Sequence, residues 1–411
     1  MCSDPAASNP FAHYLHRAVI TGLVPGGRYR YLLPGSDVAR PFRAQPAPGG
    51  KFKFVAFGDM GDGEHAAAKS PGAPLTLSAL QQEQPWLELA VHVGDISYAK
   101  GNPDMWDSFM AGIEPLASRV PYMVVTGNHE YGYEGGAASD PSGCKPYAPG
   151  WGNYGPDSGG ECGVMLARHF MMPGLRGDNP PFWYGFEYGG VHFTAISTEH
   201  DLAPGSPQHA WLDAELAKVD RCRTPWLVLL LHRPMYVVYP HKSNREVGDH
   251  IRASIEPLLR RHLVDAAISG HVHSYYRTCP AYDGDCTTGG SDGGPAAGTN
   301  IAANPGMPGR SGGGGGGDGG HGTVHIIVGS AGHELSALEE GQEGWLVAAR
   351  QAWGYSRFTV ESDARMTVEF VASESGLVLD SFELAASDAR LRGACPTAAA
   401  PHAQRAGAPA S

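Results

Sequence analysis

From residue 52 onward, compact apolar runs alternate with longer stretches in which apolar residues recur every three or four positions. The compact runs predict strands over 52–57, 89–93, 122–125, 226–231 and 266–269, and the periodic stretches predict helices over 75–86, 104–118, 207–219 and 244–263. A hairpin is expected over 182–197. From 323 the pattern is strand only, over 323–328, 355–360, 366–370 and 378–384. Strands alternating with helices imply an α/β body of mixed or parallel sheets covered by helices, and the closing strands imply antiparallel additions. Before residue 50 the one ordered signal is 17–33, which reads as two short strands around Pro25-Gly26-Gly27. Two strands do not fold alone.

Length adds a second bound, since 411 residues at about 150 per domain imply two or three domains. We expect a small N-terminal β unit over 1–50, one large body over 51–385 and a disordered tail over 386–411. Glycine (57) and proline (33) are both abundant, so much of the chain is loop. Residues 131–168 read as a loop-rich insertion. The stretch 283–322, with six consecutive glycines at 312–317, has too few apolar side chains to offset its ordering entropy and is expected to be a flexible surface insertion.

The net charge of −12 comes without any lysine- or arginine-rich run, which argues against a nucleic-acid partner. The longest strongly apolar run, 226–231, falls far short of the roughly 20 residues needed to cross a bilayer. Residues 1–4 lack the basic and apolar regions of a signal peptide. Neither a membrane partner nor a leader is therefore expected in this chain. None of the seven cysteines forms a CxxC pair, so a zinc knuckle is not expected. Cys144 and Cys162, like Cys279 and Cys286, bracket loops of the kind that disulfides staple in secreted proteins. The odd total leaves at least one thiol over.

The chemistry lies in five short motifs, each placed after an apolar strand: Gly58-Asp59-Met60-Gly61, Gly94-Asp95-Ile96-Ser97-Tyr98, Gly127-Asn128-His129-Glu130, Leu231-His232-Arg233-Pro234 and Gly270-His271-Val272-His273. Sheets of this kind gather their sites at the carboxyl ends of strands. Two carboxylates, a phenol, an amide and several imidazoles suit iron, manganese or zinc rather than calcium. They are also too many for one metal, whereas two metals bridged by a carboxylate would use them all. His65, His92, His192, His250, His262, His325 and His333 lack such company and read as structural.

In these motifs the chain resembles the purple acid phosphatases, of the large plant and algal type, within the calcineurin-like metallophosphoesterase superfamily. The resemblance runs from residue 54 to about 384, and Tyr98 is its most discriminating residue. It implies a β-sandwich of two mixed sheets flanked by helices in α-β-β-α order, preceded by a remnant of a fibronectin-like β-sandwich over 1–50. It further implies that Asp59, Tyr98 and His273 hold a ferric ion, that Asn128, His232 and His271 hold a divalent iron, zinc or manganese, and that Asp95 bridges them. His129 and His241 would contact the substrate phosphate and leaving oxygen. The activity implied is acid hydrolysis of small phosphate monoesters by in-line attack of a metal-bound hydroxide. A phosphodiesterase or nucleotide pyrophosphatase, or a non-catalytic phosphate-binding protein, are the alternatives. The family is usually secreted or vacuolar, and a homodimer is compatible with the reading.

Overall fold

The computed structural model describes residues 1–9, 14–62, 69–132, 138–144, 147, 149, 157–175, 177–238, 242–287, 321–338 and 343–386. The glycine run, His65, His241 and the C-terminal tail lie outside them. A ribbon of β1 (Arg28–Tyr31) and β2 (Arg40–Arg43) precedes the body. The body opens with β3 (Phe52–Phe57), α1 (Ala73–Glu83), β4 (Leu89–His92), α2 (Pro103–Ala117), β5 (Tyr122–Val124) and the short α3 (Val164–His169). Next come β6 (Tyr184–Tyr188), β7 (Val191–Ala195), α4 (Pro207–Ala217), β8 (Trp226–Leu230), α5 (Lys242–Arg261) and β9 (Ala266–Ser269). The chain continues through β10 (Tyr275–Tyr282), β11 (Asp285–Cys286), β12 (Thr323–Val328), β13 (Leu346–Arg350), β14 (Gly354–Val360), β15 (Arg365–Ala372) and β16 (Val378–Ala385).

Two mixed sheets result. The first runs β16-β15-β14-β3-β4-β5, with β3, β4 and β5 parallel and the last three strands of the chain antiparallel. The second runs β11-β10-β12-β9-β8-β7-β6, with β13 also pairing with β10; in it β12, β9, β8 and β7 are parallel. Their inner faces share one apolar core. There Phe54 stacks on its cross-strand neighbour Phe358 at 4.3 Å and meets Phe193 of the opposite sheet edge-on at 5.2 Å. Helices α1, α2 and α3 cover the outer face of the first sheet, and α4 and α5 cover that of the second. Burial on both faces is why the parallel strands read as unbroken apolar runs. Helix starts follow their caps: Asn102 accepts the Asp104 N–H (3.0 Å) ahead of Pro103, and Ser206 accepts the His209 N–H (3.2 Å) ahead of Pro207. The α-β-β-α sandwich implied by the resemblance is therefore the architecture observed.

Three local expectations change. The ribbon does not pair the two halves of 17–33: Arg28–Tyr31 pairs with Arg40–Arg43, where Tyr29 stacks on Phe42 (5.6 Å), while Val19 and Ile20 stay exposed. The region beyond the Gly270-His271-Val272-His273 motif holds β10 and β13, neither of them expected. Arg277 and Thr278 interrupt the apolar pattern of β10, and Arg277 is buried only because it pairs with Asp380 (2.6 Å). Finally, Cys279–Cys286 is a disulfide, but Cys144–Cys162 is not. Cys162 is bonded to Cys2, and Cys144 is a half-buried free thiol. The N-terminus is brought there by backbone bonds from Cys2 and Ala6 to Gly160 (2.8 Å) and Gly159 (3.0 Å).

Candidate metal centre

All five motifs sit at carboxyl ends of parallel strands: Asp59 follows β3, Asp95 and Tyr98 follow β4, Asn128 and His129 follow β5, His232 follows β8, and His271 and His273 follow β9. Three of these strands belong to one sheet and two to the other, so the side chains meet where the two sheets' carboxyl ends converge. The local backbone is unusual. Asp59 (φ 60°), Asp95 (51°), Tyr98 (54°) and His271 (68°) all lie in the left-handed region, which non-glycine residues seldom adopt and which concentrates at functional sites. Glycine is required beside them: a Cβ on Gly94 would fall 2.5 Å from the His232 ring, and one on Gly127 would fall 2.3 Å from Asp95 Oδ1.

One group of atoms joins Asp59, Tyr98 and His273. The Tyr98 hydroxyl lies 3.3 Å from Asp59 Oδ1 and 3.1 Å from His273 Nε2, which is itself 3.4 Å from Asp59 Oδ1. The other His273 nitrogen, Nδ1, is 2.9 Å from the Glu334 carbonyl. A carbonyl only accepts, so Nδ1 carries the proton and Nε2 turns its lone pair inward.

A second group joins Asn128, His232, His271 and Asp95. Asn128 Oδ1 is 3.0 Å from His232 Nε2 and 3.0 Å from His271 Nδ1, and Asp95 Oδ2 is 3.2 Å from His232 Nε2. His232 Nδ1 donates to the Val93 carbonyl (2.9 Å), and the Asn128 amide Nδ2 donates to Asp157 (2.9 Å), so His232 Nε2 and Asn128 Oδ1 are the atoms turned to the centre. Oxygen and nitrogen acceptors packed this closely repel unless a cation or proton lies between them. Metal–ligand bonds of about 2.1 Å place neighbouring ligand atoms about 3.0 Å apart at octahedral angles and about 3.4 Å apart at tetrahedral ones, which spans the spacing seen here. By chemistry and spacing the residues fit metal ions, and the Asp95 charge acts on Asp59, Tyr98 and His273 of the first group as well as on His232 of the second.

The electrostatics agree. Burial alone would raise the Asp95 pKa, yet the His232 and His129 imidazoles hold it well below the usual carboxylate value. Burial works against the His232 cation too, but Asp95 carries its pKa up to about 10. The Tyr98 pKa is driven well above 10 by burial, then by Asp59 and Asp95. Without a cation Tyr98 stays a phenol. His129 offers its backbone N–H to Asp95 Oδ1 (3.0 Å) and rests Nδ1 on the Asp157 carbonyl (3.1 Å), with Nε2 3.9 Å from Asp95 Oδ2. Burial lowers its pKa, with Asp95 opposing.

Sequence reading missed several supporting groups. Glu130 closes its motif without a ligand role legible in the sequence; its carboxylate accepts the N–H groups of Asp95 (2.9 Å), Ile96 (2.7 Å) and Gly127 (2.9 Å), tying the β4 and β5 loops together. His333, which the sequence alone reads as structural, follows β12 and packs its ring 4.4 Å from Tyr98 and 4.5 Å from His273. The signal was available in part, because it too follows an apolar strand, in Gly329-Ser330-Ala331-Gly332-His333. His92 does bond beneath the sheet, to the Tyr122 hydroxyl (2.9 Å), and His192 pairs with Glu215 (3.1 Å).

Comparison with known proteins gives a consistent picture. Residues 52–275 match the family model described as calcineurin-like phosphoesterase, and residues 322–381 match that of the iron/zinc purple acid phosphatase-like protein C. The chain is 32% identical to a protein of Arabidopsis thaliana named probable inactive purple acid phosphatase 27, over 93% of this chain and 60% of that protein. It is 30% identical to a nucleotide pyrophosphatase/phosphodiesterase of Hordeum vulgare, over 84% of this chain and 86% of that one. Among solved structures, the purple acid phosphatase PPD1 from yellow lupin seeds superposes with a TM-score of 0.71 at 29% identity, covering 92% of this chain and 64% of that one. The chain thus spans about 60% of the length of the Arabidopsis relative.

Proposed function

Because the chain belongs to the purple acid phosphatases, within the calcineurin-like phosphoesterases, we propose that it hydrolyses phosphate monoesters at acid pH with a binuclear metal centre. Asp59, Tyr98 and His273 would hold a ferric ion, Asn128, His232 and His271 a divalent iron, zinc or manganese, and Asp95 would bridge the two. One observation carries this reading: inward-facing acceptor atoms about 3 Å apart, whose ring protons at His232 and His273 are tied to outer carbonyls. When bound, such a pair of cations supplies an acidified water and neutralises charge on the phosphoryl oxygens.

The chain's own residues do the rest. Glu130 fixes the Asp95 loop, and Asp157 fixes the Asn128 amide. His129, anchored through Nδ1, turns Nε2 toward Asp95 and would hydrogen-bond the ester oxygen that departs. His241, which lies outside the described residues, is proposed to assist. Completeness of the donor set favours turnover over phosphate binding alone, even though the Arabidopsis relative carries the word inactive in its name. The barley relative's name supports a second reading, in which the bond cleaved is a phosphodiester or a pyrophosphate.

Metal content and a visible spectrum of the purified protein, with rates on a monoester, a diester and a nucleotide pyrophosphate, test both readings. We expect two metals per chain, fastest turnover of the monoester, and a visible band that Tyr98→Phe abolishes. Absence of bound metal refutes the centre, and preference for the diester or pyrophosphate selects the second reading.

A further inference from the structure

We propose that Arg233 and Asn244 compete for the outer nitrogen of His271, and that the balance between them sets how tightly the second cation of the centre is held. This rests on the assignment of His271 to that cation under the function proposed above.

Arg233 directly follows His232 and is 3% exposed. Its guanidinium is clamped by Glu199 through Nε (2.7 Å) and Nη2 (3.2 Å), and Glu199 Oε1 also accepts the Thr198 hydroxyl (3.1 Å). Thr198 in turn accepts the Arg233 backbone N–H (3.1 Å). The remaining arm, Nη1, lies 3.1 Å from His271 Nε2. A guanidinium has donors only and keeps its charge, so this contact requires Nε2 to accept. The ring proton then sits on Nδ1, facing Asn128 Oδ1 at 3.0 Å. In that state the nitrogen needed by the cation is capped by a proton.

Asn244, in the first turn of α5, offers the alternative. Its Oδ1 lies 3.2 Å from the same Nε2 and can only accept. Satisfying Asn244 puts the proton on Nε2 and bares Nδ1 toward Asn128 and His232. One imidazole proton cannot serve both contacts, and moving it between ring nitrogens through solvent changes no net charge. The Arg233 state is closed to the cation and the Asn244 state is open. Apparent affinity is reduced by the fraction of molecules in the open state. A hydrogen bond from a charged donor is stronger than one between neutral groups, so removing the Arg233 contact should tighten binding about tenfold or more.

The test is the dissociation constant of the more weakly held cation, measured with Zn²⁺ or Mn²⁺ against a competing chelator on the full chain. Arg233→Gln is combined with Glu199→Gln so that the Glu199 carboxylate is not left facing a neutral partner, and we expect that pair to hold the cation about tenfold more tightly. Asn244→Leu should weaken it by about tenfold. Lost packing would weaken both, so the opposite signs are the diagnostic. Shifts in the same direction, or affinities within about twofold of wild type, overturn the competition while leaving the binuclear reading intact. If the double variant does not fold, an unchanged affinity in Asn244→Leu overturns it alone. Failure of wild type and variants alike to take up a second cation overturns the binuclear reading and this inference with it.

Discussion

Replacing Glu130 with alanine removes the acceptor of three backbone N–H groups at once. Glu130 is 1% exposed, with Oε2 taking the N–H groups of Asp95 and Gly127 and Oε1 that of Ile96. A buried donor left without a partner costs about 1–3 kcal/mol, so the three together cost roughly 3–9 kcal/mol. That is a large share of the roughly 5–15 kcal/mol that holds a domain folded. Glutamine keeps one oxygen: turned toward Asp95 and Gly127 it satisfies two donors but sets its own NH2 against Ile96. Its cost is therefore that of one lost bond, about 1–3 kcal/mol. At about 2–4 °C per kcal/mol for a body of this size, Glu130→Gln should lower Tm by several degrees and Glu130→Ala by on the order of 10 °C or more. Circular dichroism melts with a chelator present separate this from metal loss, and metal analysis without it should show Asp95 displaced, with occupancy reduced in both variants. A Glu130→Ala protein melting within about 2 °C of wild type, or a Gln variant as damaged as the Ala variant, refutes the reasoning.

Gly94→Ala should abolish metal retention, because at φ +89° the new Cβ would lie 2.5 Å from the His232 ring and break its bond to the Val93 carbonyl; a wild-type metal content refutes it. Cys2→Ser opens a disulfide spanning 160 residues and should cost about 2–5 kcal/mol, more than Cys279→Ser, which opens one spanning 7; the reverse order in urea unfolding would refute the chain-entropy account. Glu161 accepts the Trp106 indole N–H and the Gly101 N–H (2.9 Å each), while burial pushes its pKa from 4.5 to about 8. The folded state therefore binds that proton more tightly, so the stability it contributes is complete below pH 4.5 and is lost as pH rises through about 8. Urea midpoints at pH 5 and pH 9 should differ less in Glu161→Gln than in wild type; an equal difference refutes the assignment.

What is local in this protein could be read from its residues alone. The buried parallel strands announce themselves as apolar runs, because both of their faces are covered. The candidate ligands announce themselves because each lies one to six residues past such a run, and Asp59, Asp95, Asn128 and His271 each adjoin a glycine that the left-handed turn or the close packing demands. Chain order then fixed which strand ends carry Asp59, Asp95, Asn128, His232 and His271.

The folded arrangement decided everything that depends on how the two sheets meet. The His271 N–H bonds to Asp59 Oδ2 across 212 positions, and the His273 ring is fixed by the Glu334 carbonyl across 61. No periodicity records such pairs. Arg277 in β10 looked wrong for a buried strand until Asp380 neutralised it, and Cys162 found Cys2 rather than Cys144 because backbone bonds dock the N-terminus beside Gly160. His333, Arg233 and Asn244 reach the centre from β12, β8 and α5, elements brought together only by packing. Propensity and burial act over a few residues and leave a pattern in the chain. The ring nitrogen that faces a cation is set by partners that only the tertiary fold supplies.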